Sequence, residues 1–212
     1  AEKELGLSSK IIMCFLRDHD EDSAFKTLDQ ALVHKNKIIG VGLDSSEVGH
    51  PPRKFERVFK KAMDEGFFTV AHAGEEGPAE YIWEAINLLN VSRIDHGNRP
   101  VDDDQLMKHL AEHQLPLTLC PLSNLELKVV NSLTDHPLLE MMEAGLMVTL
   151  NSDDPAYFCG YINENYTRVA KALDLSKKQI TELAKNSFKA SLLSQVEKDQ
   201  MIQKIENYYH NN

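Results

Sequence analysis

Short apolar runs and amphipathic segments alternate along this chain. Six runs read as strands: 10–16, 38–43, 67–71, 91–95, 116–120 and 146–151. Each is four to eight residues of mostly β-branched, aliphatic or aromatic side chains, the length and make-up of a buried strand. Between them the period changes. In 53–65, Phe55, Val58, Phe59, Ala62 and Met63 fall at i, i+3, i+4, i+7 and i+8, and Gly66 ends the pattern. In 78–89, Pro78 suits a first helical position, and Ile82, Ile86 and Leu89 share a face. Segments 103–113 and 136–144 read the same way, each followed by a strand. This β-α-β-α succession predicts a parallel sheet. Past residue 151 the chain turns helical. Ser176 with Gln179 forms a capping box for 177–185, and a last helix fills 194–209. No linker, repeat or low-complexity tract interrupts the pattern, so residues 1–212 read as one domain.

The ends of the strands carry the chemistry. Run 67–71 stops at His72-Ala73-Gly74-Glu75, and run 38–43 at Asp44. Run 91–95 leads into Asp95-His96-Gly97, and run 146–151 into Asn151-Ser152-Asp153-Asp154-Pro155. Strands delivering His, Asp and Glu to one edge are how a (β/α)8 TIM-type barrel builds an active site. Such a barrel has eight strands and typically about 250 residues. With six strands, the first almost at residue 1, this chain reads as the C-terminal portion of a barrel whose first strands are missing. A six-stranded open sheet with helices on both faces is the alternative.

Composition narrows the function. Of 212 residues 42% are hydrophobic, enough for one sizeable core, and the net charge is −10. An acidic surface disfavours a nucleic-acid partner. No apolar run approaches the roughly 18 residues of a membrane helix, and no basic-then-apolar start marks a signal peptide. Cys14, Cys120 and Cys159 are sparse and far apart, which suits a reducing cytoplasm. None lies in a Cys-x-x-Cys pair, which disfavours a zinc finger and a cysteine-ligated deaminase site.

Each candidate has a plainer reading. A lone strand-end histidine such as His72 is usually hydrogen-bonded to the loops above it. Glu75, three residues on and past a glycine, shifts the balance, because a carboxylate beside a metal can move protons. Asp153 and Asp154 could include a helix N-cap before Pro155. That explains one aspartate, whereas two adjacent carboxylates at a buried strand end call for a cation or donors. His96 could be a packed loop histidine. His109 and His113, at i and i+4, lie in a charged segment and read as a solvated face. Ser123-Asn124 could contact a ligand or cap a turn.

Four motifs in series resemble the adenosine/adenine deaminase family of the amidohydrolase superfamily. They are His72-Ala73-Gly74-Glu75, Ile94-Asp95-His96-Gly97, Cys120-Pro121-Leu122-Ser123-Asn124 and Asn151-Ser152-Asp153-Asp154-Pro155. The resemblance covers about residues 10–190. It implies that His72 and Asp153 bind one Zn2+ per subunit and that Glu75 shuttles protons at the purine ring. It also implies that His96 orients the attacking hydroxide and that Asp154 hydrogen-bonds the purine. The chemistry suits the casting, since zinc lowers the pKa of bound water from 15.7 to about 7. The segment Gly42-Leu43-Asp44-Ser45-Ser46-Glu47-Val48-Gly49-His50-Pro51-Pro52 is similar to the adenine deaminase branch. The adenosine branch usually has a small Ala-Gly pair after the matching aspartate. Ser46-Glu47 is bulkier, and Glu47 could accept from the imidazole N–H of free adenine or fill the ribose space.

The family's first strand carries a His-x-His pair, and no His-x-His occurs in this sequence. The expectation is a fragment of a zinc-dependent adenine deaminase of purine salvage, cytoplasmic, inactive by itself and compatible with a homo-oligomer. The alternatives are an adenosine deaminase acting on the nucleoside, or a non-catalytic purine-binding remnant. Apolar edges at strands 10–16 and 146–151 are expected to be exposed.

Overall fold

All six predicted strands form in the computed structural model, which describes residues 2–6 and 8–211. They are β1 (Ile11–Leu16), β2 (Ile38–Asp44), β3 (Phe68–His72), β4 (Arg93–Asp95), β5 (Leu117–Leu119) and β6 (Val148–Leu150). Their order in the sheet follows the chain. The pairs β1–β2, β2–β3 and β5–β6 are parallel. With a helix after nearly every strand, this is the βα succession of a partial (β/α) barrel. The chain divides into two compact units, Ala1–Ile94 and Asp95–Asn212.

In the first unit, the amphipathic segment 53–65 becomes a 3-10 turn Pro52–Phe55 leading into the helix Glu56–Asp64. Phe55, Val58, Phe59 and Ala62 are fully buried, while Met63 is only half-buried. Phe59 meets Phe15 of β1 edge to face, with ring centroids 5.7 Å apart, a geometry the aromatic quadrupole favours. Pro78 stands at the N-cap of the helix Ala79–Asn87, one place before its expected position. The helix Glu21–Leu32, capped by Asp20, escaped the pattern reading. Its buried residues are Ala24, Leu28 and Ala31, of which only Leu28 is large.

In the second unit, the helices Asp104–His113 and Leu138–Glu143 bury Leu106, Leu110, Leu138 and Met141. The capping box at Ser176 and Gln179 forms as expected and starts a helix that runs on to Lys189. From that helix the Asn186 amide donates to the Val148 carbonyl of β6 at 3.1 Å. The two expected apolar edges come out differently. In β1, Ile11 and Leu16 are about half exposed. In β6, Val148, Thr149 and Leu150 are all buried, because helices of the same unit pack over them. Among the described residues, no helix is long and apolar enough to cross a membrane.

Candidate active site

In the first unit, the residues after β2 and those after β3 hold one another. Asp44 ends β2; burial pushes its pKa up, against the pull of His72 and Arg17. Ser45 then turns through a left-handed φ of 75°. Ser46 is exposed and Glu47 is buried. The Glu47 carboxylate accepts four backbone N–H bonds from the loop after β3. Oε1 takes Gly74 at 2.6 Å. Oε2 takes Glu75 at 3.0 Å, Glu76 at 2.9 Å and Gly77 at 3.0 Å. Gly77 is a glycine because a Cβ there would lie 2.8 Å from that carboxylate.

A carboxylate offers about four acceptor positions; here three donors crowd Oε2 and one reaches Oε1. These bonds favour a loop-shaping role for Glu47 over that of an acceptor of a purine N–H. Its side chain is spent on shaping the loop that carries Glu75.

His72 ends β3, half-buried. Its carbonyl accepts from Arg17 Nη1 at 2.7 Å, and Arg17 Nε donates to the His50 carbonyl at 2.9 Å. Arg17 is completely buried one residue past β1. Burial lowers its pKa, while Glu47, Tyr81, Asp44 and Glu84 raise it. The guanidinium thus ties the loops after β2 and β3 to the end of β1. Nothing in the motif reading pointed to it, although a charged residue ending an apolar run was the signal used elsewhere.

In the second unit, His96 follows β4, is buried, and has a φ of 60°. Its backbone N–H donates to the Thr118 carbonyl at 3.1 Å, and the Thr118 hydroxyl donates to Asp95 Oδ1 at 2.9 Å. Asp95 is thereby a partner of β5. Asp153, three residues past β6, has a φ of 54°. Its Oδ2 lies 3.9 Å from His96 Nε2. The N-cap explanation of the aspartate pair does not hold, since the next helix starts only at Ile162 with Tyr161 as its cap. The exposed Asp154 accepts at its carbonyl from the N–H groups of Tyr157 and Phe158, both at 2.9 Å.

Ser45, His96 and Asp153 share one trait. Each is a non-glycine residue held in the left-handed region just past a strand. Such backbone costs about 1–3 kcal/mol per residue and persists where surrounding structure over-determines it, typically at functional sites.

Among the described residues, His96, Cys120 and Asp153 bring ligand atoms within 4.8 Å of one another. Imidazole, sulfur and carboxylate are donor types that a transition-metal ion accepts, so a metal ion could be held at this end of the unit, with Asp153 its exposed donor. His109 and His113 are exposed and stack on each other, as their charged surroundings predicted.

Asn124 and His136 complete the second unit's site. His136 Nε2 lies 3.2 Å from Asn124 Oδ1, and the Leu138 N–H donates to His136 Nδ1 at 3.2 Å. Burial pushes the His136 pKa from 6.5 down to about 4. The unfolded chain therefore takes up a proton near pH 6.5 that the folded one refuses until about pH 4. Stability is full at pH 7 and falls as the pH drops through that window, by about 2 kcal/mol at pH 5. Urea melts at pH 7 and pH 5 should show this loss, and His136→Gln should remove it. An equal loss in both proteins would mean that His136 is not its source.

Strand ends bearing His, Asp and Glu on a βα succession, with a group that could hold a metal ion, define an α/β protein of the (β/α) barrel type. More particularly, the chain belongs to the adenosine deaminase family, whose pattern matches residues 1–208. It is similar to the adenine deaminase of Hahella chejuensis, 56% identical over 211 residues, all of this chain and 63% of that protein. The crystal structure of the adenine deaminase from Arthrobacter aurescens superposes with a TM-score of 0.95 at 47% identity. It covers 98% of this chain and 63% of its own. An amidohydrolase from Burkholderia ambifaria, solved with bound Zn, shares the fold at a TM-score of 0.90 and 24% identity. The match takes in 100% of this chain and 61% of that one. The chain thus spans just under two thirds of the relatives it matches.

Proposed function

We propose that this chain carries the later strands of a catalytic (β/α) barrel domain that hydrolyses adenine to hypoxanthine and ammonia. The observation that carries the reading is the pair His96 and Asp153. Both sit at strand ends in a costly backbone conformation, with Nε2 and Oδ2 3.9 Å apart. That is too far for a direct hydrogen bond and suits two groups that serve a common third. Similarity to adenine deaminases over the whole chain supports the choice of reaction.

His72 and Asp153 would hold one zinc ion. When bound, zinc supplies a water acidic enough to attack near neutral pH. His96 orients that attack through Nε2. Glu75 delivers a proton to the ring nitrogen beside the attacked carbon, which takes up the electron pair displaced there. It then relays a proton to the amino group, which leaves as ammonia. Asp154 and Ser46 contact the purine. Overall, adenine and water give hypoxanthine and ammonia. The small acidic domain suits a cytoplasmic enzyme with a small-molecule partner.

The test is ammonia release by the whole protein from adenine and from adenosine, with zinc content measured alongside. Adenine should be preferred by about 10²-fold or more in kcat/KM, the scale on which a tight site rejects added bulk. Comparable values would favour the adenosine reading. A metal-free protein that binds purine without turnover would favour the binding remnant.

A further inference from the structure

Four polar contacts in series cross the second unit. They run from the Leu138 N–H to His136 Nδ1 at 3.2 Å, and from His136 Nε2 to Asn124 Oδ1 at 3.2 Å. They continue from Asn124 Nδ2 to His96 Nδ1 at 3.5 Å, and from His96 Nε2 to Asp153 Oδ2 at 3.9 Å. His136, Asn124 and His96 are each at least 96% buried.

The direction of the series follows from its first member. A backbone N–H only donates, so His136 Nδ1 accepts. His136 is neutral above about pH 4, and its single ring proton therefore sits on Nε2. That proton is donated to Asn124, so the amide presents its oxygen to His136. The amide nitrogen then faces His96, and an amide nitrogen only donates. In that contact His96 Nδ1 accepts, which puts the His96 ring proton on Nε2, the nitrogen directed at Asp153.

We propose that His136 is a positioning residue which, through Asn124, locks His96 in the Nε2–H tautomer. The tautomer itself needs only the hydrogen bonds. Its catalytic consequence rests on the proposed deamination. A locked Nε2–H makes His96 a fixed donor to the attacking oxygen rather than a base that removes its proton.

Imidazole 15N NMR reads the tautomer directly. At pH 7, His96 and His136 should each show a protonated Nε2 and an unprotonated Nδ1. A proton on His96 Nδ1 would overturn the proposal. Asn124→Asp replaces the donor facing His96 by an acceptor and should move the His96 proton to Nδ1. His136→Gln keeps a donor towards Asn124 and should keep the wild-type tautomer, whereas His136→Phe should give a mixture.

In the whole protein, Asn124→Asp should lower kcat for adenine by about 10²–10⁴-fold with KM within a few-fold. A wrong histidine tautomer has cost about 10⁴ in a protease triad. His136→Gln should recover most of the kcat that His136→Phe loses. A His136→Gln protein no better than His136→Phe, or an Asn124→Asp protein with the wild-type tautomer, would refute the relay. If the tautomers are as stated and adenine is not turned over, the positioning stands and the deaminase reading fails.

Discussion

Glu75→Gln is expected to lower adenine turnover by about 10²–10⁴-fold, the usual worth of a general acid–base group. Glutamine has nearly the same shape and keeps the backbone N–H that donates to Glu47 at 3.0 Å. It has no proton to deliver to the ring nitrogen at neutral pH. Zinc content and KM should therefore change little while kcat collapses. Steady-state kinetics with metal analysis on the whole protein checks this. Turnover within a few-fold of wild type would remove Glu75 from the proton path.

Glu47→Gln should have the second large effect, through the loop rather than through the substrate. The amide would present N–H groups where Gly74 or its neighbours present theirs, so at least one buried donor loses its acceptor. An unmet buried donor costs about 1–3 kcal/mol, and bonds to a charged acceptor are the stronger kind. The loss of stability is expected at about 2–4 kcal/mol. Because the same bonds place Glu75, kcat should fall by about 10²-fold, the scale of a misplacement near 1 Å. The preference for adenine over adenosine should survive. A variant that kept its kcat and lost that preference would restore Glu47 to contact with the purine.

The contrast between these two glutamates marks how far the chain could be read. The place of Glu75 in the loop after a strand was legible because its motif is local. A strand period, a histidine at its end and a glycine turn all fall within about ten residues. The same holds for His72, His96 and the aspartate pair, each placed by the run before it. The helix 56–64 was legible because side chains three and four apart share a face. The helix Glu21–Leu32 was not, because its buried face is mostly alanine and carries little apolar signal.

Glu47 looked like a substrate contact because its size and charge were all that the sequence displayed. Its donors stand 27 to 30 residues away, and only the pairing of β2 with β3 brings them to it. Arg17 reaches carbonyls 33 and 55 residues away. His136 acts on Asn124 across 12 residues, and Asn124 on His96 across 28. Periodicity and motif spacing carry information over one or two turns of chain, so they set the element types and the residues at each strand end. Which buried polar group satisfies which is decided by parallel pairing between distant segments. Burial then enforces the choice, because a donor or acceptor shut away from water must find its partner in the fold.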